Sequence, residues 1–132
     1  MFEKGRFRKS LGVKVLGNTV CPHSMEVSGL PHIQRAIGFL DVETSFDNMV
    51  DLGDMIKVVE DSFSAKVYTL LKTEDEAAVV RRMFSNPKFV EDVCRDIISG
   101  AKIFRNCRVN AKAISEESIH RHDVIAESSA RY

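Results

Sequence analysis

The sequence predicts an α+β fold: a four-stranded antiparallel sheet with two helices on one face, in the order ββααββ. Three observations predict it. β-branched and apolar runs occupy both ends of the 132-residue chain. The middle changes to an apolar repeat of three and four residues, the period of a helix. Strand-like runs therefore come in pairs on either side of the helices instead of alternating with them, which favours antiparallel pairing. Nothing resembling a linker, repeat or low-complexity tract interrupts the pattern, so residues 1–132 are read as one domain, with a basic arm over residues 1–10.

The first strand is "LGVKVLGNTVC" from Leu11, rich in Val13, Val15, Thr19 and Val20, with a break expected at Gly17. "IQRAIGFLDVET" from Ile33 makes the second, and residues 21–32 form the connecting loop. From Gly53 to about Lys72, the spacing of Ile56, Val59, Phe63, Val67, Leu70 and Leu71 predicts one long amphipathic helix that ends in a turn near "KTEDE". In "SNPKFVEDVCRDIISG", Asn86 is read as an N-cap and Pro87 as the first helical residue. Phe89, Val90, Val93, Cys94, Ile97 and Ile98 then form an apolar stripe, and Gly100 the stop, which puts Cys94 in the core. Two strands follow, around Ile103, Val109 and Ile114 and around Ile119, Val124 and Ile125, with "SEE" at 115–117 as the turn between them.

Composition narrows the function classes. Nineteen basic and nineteen acidic residues cancel, which argues against general nucleic-acid binding; only the arm, with Lys4, Arg6, Arg8 and Lys9, concentrates positive charge. The sequence has no long apolar run, so neither a signal peptide nor a membrane segment is expected, and the cytoplasm is the default location. Cys21, Cys94 and Cys107 are odd in number and widely spaced, a pattern of reduced thiols.

Chemistry gathers in "NTVCPHSMEVSGLPHIQR", residues 18–35. Cys21 and His32 stand at the two ends of the loop, and Glu76 lies in the turn after the first helix. A thiolate, an imidazole and a carboxylate suit a first shell for a divalent metal, zinc, iron(II) or manganese, with a position open for water. In "SIHRHD", His120 and His122 are two apart, so on a strand both would share a face. That spacing permits a site without diagnosing one.

The residues resemble a known family in four blocks that run in order from about Gly12 to Asp123. "TVCPHSMEVSGLPHIQR" resembles the CPxS…HxQR segment of type IB GTP cyclohydrolases and their archaeal metal-dependent relatives. "VYTLLKTEDEAAV" is similar to their KxxDE segment, "NPKFVEDVCRD" to NPxFVEDxxRD, and "ESIHRHD" to ESIHxHxA. The resemblance implies the tunnelling fold, whose units assemble side by side into an oligomeric barrel with sites between subunits. It places the metal ligands on Cys21, His32 and Glu76, the guanine-holding carboxylate on Glu91, and Glu117 and His120 beside metal and substrate as catalytic groups, with Cys21. His122 joins the substrate-binding set. Gln34 and Arg35 are expected to reach phosphate, Arg by a bidentate contact.

The implied activity is a hydrolase reaction on GTP: water attacks C8, the imidazole ring opens, formate leaves, and a 7,8-dihydroneopterin phosphate forms for folate or pterin biosynthesis. Two departures stand out. His23 occupies a position where many bacterial members carry a second cysteine. Family chains also resemble two fused units, whereas this sequence matches the C-terminal one. The other half would then come from like units in a homo-oligomer or from a separate partner. The alternative reading is a non-catalytic or partner-dependent tunnelling-fold subunit that binds a purine or pterin.

Overall fold

The computed structural model describes residues 7–68 and 71–132. Lys4 and Arg6 of the anticipated arm, and Leu70 of the anticipated long helix, lie outside the described residues. The elements are β1 (Arg8–Val20), α1 (Pro22–Ser28), β2 (Ile33–Ser45), α2 (Leu52–Glu60), β3 (Ala65–Lys66), α3 (Thr73–Phe84), α4 (Val90–Gly100), β4 (Cys107–Ser115) and β5 (Val124–Arg131), with a 3-10 turn at Ala101–Ile103. The sheet order is β3-β1-β2-β4-β5, and every neighbouring pair is antiparallel.

One face of this sheet carries α2 and α4. Period-two alternation sends Leu40 and Val42 of β2, and Val109, Ala111 and Ala113 of β4, toward the helices, where all five are buried. They meet Met55 and Val59 of α2, Val93, Cys94 and Ile97 of α4, and Phe63. Removing each large apolar side chain from water stabilises the fold by roughly 1.5–3 kcal/mol. At the start of α2, the Asp51 carboxylate caps the helix, accepting from the Gly53 N–H at 2.6 Å and the Asp54 N–H at 3.3 Å.

The α+β class and the placement of two helices on one face agree with the sequence reading. Several boundaries do not. The sheet has a fifth strand, since β3 pairs with Gly17 and Asn18 of β1. β1 runs unbroken through Gly17 and begins at Arg8, inside the expected arm. Gly17 is there for close packing: a Cβ would overlap the Phe63 ring. The connecting loop contains α1, opened by Pro22 and closed by Gly29 in the left-handed conformation at φ 70°.

The expected long helix from Gly53 to Lys72 stops at Glu60. Polar groups beyond it bond to other elements and draw the backbone out of the helix. The Ser64 N–H donates to the Asn18 carbonyl at 3.0 Å, and the Ser64 hydroxyl accepts from the Val20 N–H at 3.2 Å. Asn86 belongs to the same tie, because its side-chain amide donates to the Phe63 and Ser64 carbonyls, each at 3.3 Å. It is therefore no N-cap, and α4 starts at Val90, where the Asp92 carboxylate accepts the Phe89 N–H at 2.9 Å. Gly100 is the last residue of α4 and keeps ordinary helical geometry, with the chain turning on into the 3-10 segment. The supposed turn around "KTEDE" is the first turn of α3.

Candidate functional site

The ends of β1 and β2 are clasped together where α1 is inserted. The Cys21 N–H donates to the His32 carbonyl at 3.2 Å. The Ser24 hydroxyl donates to the Cys21 carbonyl at 3.3 Å and accepts from the His32 N–H at 3.2 Å. Those bonds hold the thiol and the imidazole on one wall. The Lys88 N–H, bonded to the Val20 carbonyl at 2.9 Å, brings the start of α4 against the same corner, and its ammonium is fixed by the Ser62 carbonyl at 3.0 Å and Asp96 at 2.7 Å.

Between these walls lies a hollow of about 420 Å³, within the size range of small-molecule sites. Cys21, His23, His32 and Gln34 form one side, and Phe89 and Glu91 at the α4 N-terminus form another. Glu117, His120 and His122, from the segment joining β4 to β5, close the third. All four histidines of the chain are here. Two buried side-chain atoms of the described residues have no hydrogen-bond partner, Ser115 Oγ and Glu117 Oε2, and Glu117 lines the hollow. A buried carboxylate oxygen is costly to leave unpaired, so it calls for a polar partner, a water or a ligand atom.

His120 and His122 are not on a strand as expected. Residues 118–122 form bends, and the two exposed rings reach one face by stacking, centroids 5.6 Å apart and planes 11° from parallel. Arg35 and Glu76 are separated from the other site residues. Alternation along β2 turns the exposed Arg35 away from Gln34. It lines a second hollow with Asn18, Lys66, Tyr68 and the exposed Glu76 of α3. Gln34, expected at a phosphate, is buried, with its amide engaged by Thr19 and His32.

Among the described residues, no group of three or more His, Cys, Asp or Glu side chains converges closely enough to hold a metal. The expected Cys21–His32–Glu76 set is not assembled within this chain. Cys21, His32 and Glu117 line the same hollow without converging as a metal site within this chain. His23, Lys88 and Phe89 line the hollow without having been singled out from the sequence as site residues. The signal for them was proximity, since His23 sits inside the loop block and "KF" immediately precedes "VED".

The family model for type I GTP cyclohydrolase folE2 matches residues 1–126. The chain belongs to the type I GTP cyclohydrolase family. Within that family it is similar to GTP cyclohydrolase MptA of Pyrococcus furiosus, 58% identical over 124 residues that cover 93% of this chain and 46% of that protein. The MptA of Thermococcus kodakarensis is 56% identical over 127 residues, 96% of this chain and 48% of that protein. That of Methanoregula boonei is 38% identical over 154 residues, 93% and 47%. The chain thus spans about half the length of the curated relatives it matches. Among the described residues, no helix is long and apolar enough to cross a membrane.

Proposed function

We propose that the chain carries out, as part of an assembled enzyme, the hydrolytic opening of the guanine imidazole ring of GTP, with water attack at C8, loss of formate and formation of a 7,8-dihydroneopterin phosphate for folate or pterin biosynthesis. The observation that carries this reading is the buried, unpartnered Glu117 oxygen in a hollow shared with Cys21 and four imidazoles. Family membership and the printed activity of the relatives support it. Three free thiols, Cys21, Cys94 and Cys107, suit a reducing compartment, and we assign the protein to the cytoplasm.

Each residue then has a part. Glu91, exposed at the first turn of α4, accepts two hydrogen bonds from the guanine N1–H and 2-amino group and so selects the base. His120, whose imidazole can both give and take a proton, moves protons to the opening ring and the departing formate. His122, stacked on it, borders the substrate. Cys21 and His32 are donors that would hold zinc, iron(II) or manganese, with Glu76 completing the set from a second unit; such an ion lowers the pKa of water toward neutrality. Arg35 and Glu76 open onto the other hollow, and in this reading they serve a site only where a second unit of a homo-oligomer approaches.

Anaerobic incubation with GTP and each of the three metals should release formate and yield a fluorescent pterin after oxidation. Glu91→Gln should weaken GTP selection, because an amide offers one acceptor where two are needed. His120→Ala should lower turnover far more than metal retention. Absence of formate from oligomeric, metal-loaded protein would reject the reading.

A further inference from the structure

We infer that Gln34 is a positioning residue: its amide holds His32 in the tautomer protonated on Nδ1, leaving Nε2 with its lone pair for the hollow. The inference deepens the proposed function and depends on it only for what that lone pair does.

Gln34 is 7% exposed and Thr19 1%, and the two face each other across the β1–β2 ladder. The Gln34 amide nitrogen donates to the Thr19 hydroxyl at 2.9 Å, and the Gln34 carbonyl oxygen lies 2.6 Å from His32 Nδ1. An amide has one donating end and one accepting end, so the end that faces the imidazole is the acceptor. That nitrogen must then carry hydrogen. A neutral imidazole has one N–H, and Nε2 is left bare, as a metal ligand or proton acceptor must be.

The surroundings keep the arrangement in place. The His32 backbone is anchored at both ends, by its N–H to the Ser24 hydroxyl at 3.2 Å and its carbonyl to the Cys21 N–H at 3.2 Å. Rotating the amide end for end would make Thr19 the donor and Gln34 a donor to a bare Nδ1. The proton would then sit on Nε2, and the ring would present an N–H to the hollow. The two arrangements have opposite chemistry and opposite spectra.

Long-range proton–nitrogen correlation spectra of nitrogen-15-labelled, chelator-treated protein, at a pH where the rings are neutral, read the tautomer directly. His32→Gln identifies the His32 signals by their loss. The wild-type ring should show Nδ1 protonated. Gln34→Glu, which keeps an acceptor, should retain that pattern; Gln34→Leu, folded by circular dichroism, should lose it. Zinc titration should show affinity about 10–100-fold weaker for Gln34→Leu, and for Gln34→Glu a smaller change. A wild-type His32 protonated on Nε2, or a Gln34→Leu spectrum unchanged from wild type, would overturn the inference. If Gln34→Leu does not fold, the wild-type and Gln34→Glu spectra decide it alone. Because the spectra need neither GTP nor turnover, failure of the cyclohydrolase reading and failure of this inference are separate results.

Discussion

Burial gives two cysteines of this chain different chemistry. Cys94 is 3% exposed, donates to the Ala111 carbonyl at 3.7 Å, and has its thiol pKa pushed up first by burial, then by the Glu127 carboxylate, against the opposing charge of Arg95. It should stay protonated and inert, while the half-buried Cys21 opens onto the hollow. A thiol reagent at neutral pH should therefore label one residue quickly, and Cys21→Ala should abolish that phase, with Cys94 and Cys107 reacting only on unfolding. The folded state holds the Cys94 proton more tightly than the unfolded state does. That stability is complete at neutral pH and is lost as pH rises through the folded value. Urea midpoints on the alkaline side should accordingly fall less steeply in Cys94→Ala, although its midpoint at neutral pH is lower. The core role of Cys94 was legible because its neighbours repeat at helical spacing. The environment of Glu76 was not legible, because one-dimensional spacing does not show toward which hollow α3 turns its first residues.

At the scale of elements, the pattern gave the α4 stripe and strands near β1, β2, β4 and β5, although Ile103 falls in the 3-10 turn and Ile119 in a bend, and it failed where distant hydrogen bonds override local preference. The residues after Glu60 keep an apolar repeat yet leave the helix, because the Ser64 ties to β1 and the Asn86 tie to Phe63 and Ser64 cross element boundaries. α1 has seven residues and none of them is buried, so it leaves no apolar stripe to read. The two-residue spacing in "SIHRHD" puts both rings on one face of an extended backbone, and residues 118–122 form bends instead. Close packing of α2 on the sheet makes a sharper claim. A Cβ on Gly38 would lie 2.6 Å from Val59 Cγ1 and 3.1 Å from the tip of the Phe63 ring, so Gly38→Ala must displace α2 or the sheet. Overpacking of this kind costs about 1–3 kcal/mol. Thermal unfolding should show a corresponding drop for Gly38→Ala. At the exposed Gly12, a Cβ would meet only the end of the Asp41 side chain, so Gly12→Ala should cost less.

On the whole molecule, the face of the sheet away from α2 and α4 carries an exposed apolar row. Strand register aligns Leu16, Ile37, Ile114 and Ile125 in one row across four strands. Leu16 is 38% and Ile125 55% exposed. The adjacent row is Lys14, Phe39, Lys112 and Glu127, with both lysines over the Phe39 ring at 5.9 and 5.7 Å. A polar row beside an aliphatic row is solvated on one side and sticky on the other. The outer edge of β5, and β1 from Arg8 to Leu16, pair with no further strand among the described residues. Open edges and an apolar row together favour association with like units, in which each edge finds a partner and the rows face inward. Light scattering at micromolar concentration should give a mass several times the 14.9 kDa of one chain. Ile125→Glu, on the sheet face away from α4, should reduce that mass without loss of helical signal, and formate release from GTP should fall in parallel as the shared site comes apart. A wild-type monomer that releases formate at an undiminished rate on dilution would show that the hollow acts alone, and would reject the shared site.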